Sequence, residues 1–159
     1  MPIDLAVHLA TTKAQAIASE TPDDVVLAAD TVVAFGDTPL GKPTDAEHAR
    51  RMLDLLAGTT HIVITGVAVV QRGEGFFAAR RVLSAVHMKP MTPRQIDQYV
   101  ASGNWRGKAG GYGIQDPDPF VQRVAGCQTN IVGLPMTTTR QMLAAAGIRP
   151  AGGDRHAAG

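Results

Sequence analysis

An apolar run rich in β-branched residues and a second long extended segment face each other across one short turn, and they commit the chain to a sheet. Residues 62–70 read IVITGVAVV, QRGEG breaks the run, and a second long extended segment covers 76–88. Strands of this kind joined by a glycine-containing turn pair as an antiparallel hairpin.

Helical and extended segments alternate around that pair. Residues 4–19 carry Leu5, Leu9 and Ala16 near helical spacing, and ETPDD stops the helix. Residues 25–29 form a short strand, 32–35 continue extended, and GDTPLGKP is a loop. Thr44 and Glu47 make a capping box for a helix with Ala46, Ala49, Leu53 and Leu56 on one face, closed by Gly58. A second box, Thr92-Pro93-x-Gln95, opens a helix that runs to Ser102 and stops at Gly103. Two short strands are expected at 119–124 and 128–132, and a last helix at about 136–146 ends at Gly147. Residues 1–149 read as one domain of mixed α/β class, and 150–159 as a small, polar, disordered tail.

Composition narrows the function classes. The net charge is +1, from 15 Lys and Arg against 14 Asp and Glu, and no basic run marks a nucleic-acid surface. One cysteine, Cys127, excludes an internal disulfide and a multi-cysteine metal site, and reads as a small buried thiol. No apolar stretch reaches the ~20 residues of a membrane span. The opening carries Asp4 and lacks the basic start of a signal peptide, so a cytoplasmic protein is expected.

Three places could carry chemistry. Asp30 stands at the carboxyl end of the 25–29 strand, where ligands bind in open α/β sheets, although an Asp-Thr pair there is equally a turn former. Lys42 lies between Gly41, which lets a backbone approach closely, and Pro43, which stiffens the loop. A lysine held near a carboxylate suits a polyphosphate, with the Asp binding a divalent cation or taking a proton from water; a solvated loop lysine has the same spacing. In GKAGGYGIQ, residues 107–115, four glycines fall within the seven positions 107–113, beside Lys108 and Gln115. Gln115 can pair with the amide edge of a base, and Lys108 is a further candidate contact. The five histidines show no metal-ligand spacing, the serines no nucleophile elbow. Trp105 with Arg106 is either a stacking platform or ordinary packing.

Taken in order, AADTVV, LGKP, HIVITGVAVV, YVASGNW, KAGGYGIQ and NIVGLPM resemble the Maf proteins, nucleoside triphosphate pyrophosphatases also called septum formation inhibitors, over residues 5–147. The resemblance implies a Maf/ITPase-like two-lobed fold, a mixed sheet with helices on its faces. It implies that Asp30 is the proton acceptor and a metal contact, that Lys13 and Lys42 hold phosphates, and that Thr31 and Gln115 set base specificity. The implied reaction cleaves between the α- and β-phosphates to give a nucleoside monophosphate and pyrophosphate, assisted by magnesium or manganese. YGIQ matches the members that act on dTTP and UTP, while GNW replaces the commoner GEP. A homodimer is expected, with neither a nucleic-acid nor a membrane partner.

The family also usually opens with a Ser-x-Ser-Pro-Arg-Arg loop, which has no counterpart here, so the chain is expected to be truncated at its amino end. Two functions follow as expectations. One is a house-cleaning pyrophosphatase; the other is a catalytically impaired nucleotide-binding or division-regulating protein of the same fold.

Overall fold

The expected hairpin is the middle of the sheet. The computed structural model describes residues 1–116 and 120–151. In it β3 (Thr60–Gln71) pairs antiparallel with β4 (Phe76–Met88) in unbroken register from Thr60 opposite His87 to Gln71 opposite Phe76. β1 (Val26–Phe35) lies on the other side of β3, β2 (Thr38–Leu40) flanks β1, and β5 (Val121–Gly126) flanks β4. The order is β2-β1-β3-β4-β5, and each pairing among the described residues is antiparallel. The α/β class with helices against the sheet is as the sequence implies. From residue 152 onward the tail expected to be disordered lies outside the described residues, as does the first residue of the strand expected at 119–124.

One helix covers one face. In α1 (Pro2–Glu20) the buried residues are Ala6, Ala10, Ala14 and Ala18, at most 1% exposed, whereas Leu5 is 38% exposed. The expected face, through Leu5, Leu9 and Ala16, is therefore the wrong one. The reason is distance. A Cβ added at Gly66 in β3 would sit 2.3 Å from the Ala6 carbonyl oxygen, so helix and strand backbones nearly touch. Only methyl side chains fit in that gap.

The opposite face carries the bulky core. α2 (Ala46–Leu56) and α3 (Pro93–Ser102) pack Leu53, Leu56, Ile96 and Tyr99 against Val33, Val63, Val86 and Met88. Each fully buried Leu or Ile contributes about 1.5–3 kcal/mol relative to exposure. α5 (Met136–Ala145) sets Met142 against Val67 and Val69. The Thr92–Gln95 capping box is present, with Gly103 left-handed at φ 74°. At α2 the cap is Asp45, whose side chain accepts from the His48 amide, rather than Thr44, and Ala46 is exposed while Met52 is buried.

A larger correction falls at 128–132. The expected strand is a short helix, α4 (Gln128–Val132), ended by Gly133 at φ 116°. Ile131 and Val132 favour a strand locally, but Asn130 is fully buried, and its amide donates to the Val63 carbonyl and to Ser84 Oγ. A buried amide with partners on two strands outweighs β propensity. Cys127, just before α4, is half-exposed rather than buried.

Candidate functional site

Asp30 lies in the middle of β1, opposite Gly66, and not at a strand end. The strand continues because Val32, Val33 and Ala34 are buried beyond it. Successive strand residues point to opposite faces, so Asp30 faces α1 and Thr31 faces the layer of α2 to α5. β2 pairs with β1 only at Val33–Phe35, so the margin of β1 beside Asp30 and Thr31 has no strand partner among the described residues. A cavity of about 540 Å³ wraps that margin and is lined by Asp30, Thr31, Lys42, Lys108, Tyr112 and Gln115, among others. Five of the six residues singled out in the sequence thus share one cavity. The sixth, Lys13, reaches the same place from α1 by an ion pair with Asp30 Oδ1.

The alanine stripe explains how Lys13 gets there. It precedes Ala14 in α1, and the close approach of α1 to β3 brings its ammonium over the Asp30 carboxylate. The Asp30 side chain is 21% exposed, and its Oδ2 has no hydrogen-bond partner among the described residues.

Two loops close the cavity on the other side. The Gly110 amide donates to the Gly41 carbonyl at 3.0 Å, tying the Lys42 loop to the glycine-rich loop. The close approach expected at Gly41 occurs instead at its partner. A Cβ at Gly41 would meet nothing within 4 Å, whereas Gly110, at φ 74°, has Val33 3.3 Å from that position. Lys42 itself is exposed.

Lys108 is held by a residue that the sequence reading missed. Asp116, with a side chain 6% exposed, accepts from Lys108 Nζ at 2.5 Å, from the Tyr99 hydroxyl at 2.5 Å and from the Gly113 amide at 3.0 Å. Burial and this carboxylate push the Tyr99 hydroxyl well above the usual phenol range. Asp116 pins the Gly113–Asp116 turn, and with it the exposed Gln115, to α3. Its only signal in the sequence is the Asp-Pro that follows Gln115, a turn former.

A second unanticipated pair supports the floor. His61 Nε2 and the Tyr112 hydroxyl lie 2.6 Å apart in the core, with the rings edge to face. Burial pushes the His61 imidazole down to about 4, so it is neutral at pH 7. Trp105 is packing rather than a platform: it is buried, and its indole N–H donates to the Val100 carbonyl. Among the described residues no three His, Cys, Asp or Glu cluster as a metal cage. Among the described residues no helix is long and apolar enough to cross a membrane.

A family model described as Maf-like protein matches residues 1–146. A dTTP/UTP pyrophosphatase of Cereibacter sphaeroides is 48% identical over 149 residues, covering 93% of this chain and 76% of that protein. Proteins of the same name from Sphingopyxis alaskensis and Roseobacter denitrificans are 46% and 45% identical, over 93% and 95% of this chain and 77% and 79% of theirs.

Proposed function

This chain belongs to the Maf-like protein family, and on that premise we propose that it hydrolyses dTTP and UTP to the nucleoside monophosphate and pyrophosphate. The observation that carries the reading is the convergence of one carboxylate, Asp30, and the cation Lys42 on a single cavity that Thr31 and Gln115 also line, with Lys13 paired to that carboxylate. The names of the relatives support the substrate.

In this reading Asp30 accepts a proton from a water that attacks the α-phosphorus. The bond from that phosphorus to the bridging oxygen breaks, and pyrophosphate leaves with the electron pair. Lys13 orients the Asp30 carboxylate, and Lys42, unburied and on a loop stiffened by Pro43, meets the phosphate oxygens as a point charge. Thr31 and Gln115 meet the base. Lys108, neutralised by Asp116, supports the turn that carries Gln115.

A divalent cation, magnesium or manganese, suits this donor set. Such ions are held by one or two carboxylates, with waters and substrate phosphates completing the shell, and Asp30 offers the free Oδ2. When bound, the ion offsets charge on the phosphates.

The test is pyrophosphate release from dTTP with magnesium. Asp30→Asn is expected to lower turnover about 10²–10⁴-fold or more at an unchanged melting temperature. Turnover like that of the wild type in the variant would remove Asp30 from the reaction.

A further inference from the structure

We propose that Thr65, through a buried chain of hydrogen bonds, makes Thr31 an acceptor towards the cavity, and so selects nucleobases that present an N–H there, thymine and uracil, over cytosine, which presents a lone pair. The inference rests on the reading above, in which Thr31 faces the base.

The polarity of the chain is set by backbone carbonyls. Thr65 is fully buried in β3, and its Oγ1 lies 3.1 Å from the Asn130 carbonyl oxygen and 2.9 Å from Thr31 Oγ1. A hydroxyl has one proton to give. A carbonyl oxygen can only accept, and two oxygens 3.1 Å apart with no hydrogen between them repel. The Thr65 proton therefore goes to the Asn130 carbonyl. Thr31 must then donate to Thr65, and its remaining lone pairs face the cavity that it lines.

Asn130 cannot easily move to release this arrangement. Its amide donates to the Val63 carbonyl and to Ser84 Oγ, each at 3.1 Å, and Ser84 donates onward to the Cys127 carbonyl at 2.7 Å. Residues on β3, β4 and the turn into α4 thus fix the Asn130 carbonyl, which accepts from the Gly133 amide at 3.0 Å as well as from Thr65. Gly133 leaves the approach clear, since a Cβ there would stand 3.5 Å from Thr31 Oγ1.

Thr65 is a positioning residue in this account, and the readout is a ratio. The values of kcat and KM for dTTP and dCTP are measured with magnesium for wild type, Thr65→Val and Thr65→Ser. In Thr65→Val the Thr31 proton loses its acceptor and can turn into the cavity. The preference for dTTP over dCTP, as a ratio of kcat/KM, is expected to fall about tenfold or more, through KM. Thr65→Ser keeps the hydroxyl and is expected to keep the preference. A purely structural role lowers both nucleotides equally, and an unchanged ratio in a folded Thr65→Val overturns the proposal. Should Thr65→Val fail to fold, Thr31→Val removes the acceptor itself and is expected to lower the ratio as far; no change there overturns the proposal equally. A wild type that hydrolyses nucleoside triphosphates without favouring dTTP over dCTP overturns this inference alone. One that hydrolyses none overturns the functional reading and this inference with it.

Discussion

On one face of the sheet α1 lies so close that a methyl group at Gly66 would strike the backbone of Ala6; on the other, α2 and α3 stand off behind Leu53, Leu56 and Ile96. The near face has little volume where α1 crosses Gly66. What it delivers is a position: Lys13 over Asp30. The far face is held apart by large side chains, and where these give out at the margin of β1 a cavity remains, with Thr31 and Gln115 on it. Contact at van der Waals distance fixes one charge pair, and spacing by bulky residues creates the space beside it. A site that needs both a fixed carboxylate and an open volume arises at the seam between the two.

Opposite substitutions should break the two faces. Gly66→Ala adds one methyl to the near face. The atoms it meets, Ala6 O at 2.3 Å and Val7 N at 2.5 Å, are backbone, so α1 has to lift. The expected loss is about 3 kcal/mol or more in urea denaturation, at or above the top of the usual overpacking range, with Lys13 drawn off Asp30 and turnover falling in step. Leu53→Ala removes volume from the far face, and a loss of about 2–5 kcal/mol is expected while Lys13 stays in place. If Gly66→Ala is as stable as wild type, then the close approach of α1 is not what seats Lys13.

The far face should also answer to pH. Burial holds the His61 imidazole at about 4, against 6.5 for a free histidine. Between those values the unfolded chain binds a proton that the folded chain refuses, so stability is full above pH 6.5 and falls as pH drops towards 4. The loss approaches about 3 kcal/mol at the lower end. His61→Gln is expected to flatten that slope relative to wild type in denaturation curves at pH 5 and pH 7.5. An identical slope in both proteins would mean that His61 takes its proton in the folded state.

The smallest effect sharpens the comparison within the cavity. Asp116→Ala leaves Lys108 and Tyr99 without their shared acceptor and frees the turn that carries Gln115. Stability should fall by about 1–3 kcal/mol, and faster amide exchange is expected at Gly113 than in wild type, with α1 unaffected. Changes in exchange that spread into α1 would show that the two faces are coupled rather than separate.

Much of this was legible in the sequence. The β3–β4 hairpin, the α3 capping box and α5 follow from local chemistry: β-branched runs, a Thr-Pro-x-Gln box and a closing glycine. Asp30, Thr31, Lys42, Lys108 and Gln115 were all singled out, and all line one cavity. Other features depend on neighbours that a local pattern does not contain. Ile131 and Val132 look like strand until the Asn130 amide is seen bridging β3 and β4. Leu5 looks like core until Gly66 shows that there is no room for it. Asp116 looks like a turn residue until Tyr99 and Lys108 arrive from elsewhere in the chain. By itself the sequence determined most of the strands and helices, though not α4, and which side chains bring charge, because those depend largely on neighbours within a few positions. The tertiary structure alone decided which face of α1 is buried, that Asp30 sits mid-strand beside an open margin, and that Thr31 meets the buried Thr65, because each is set by a distance between atoms far apart along the chain.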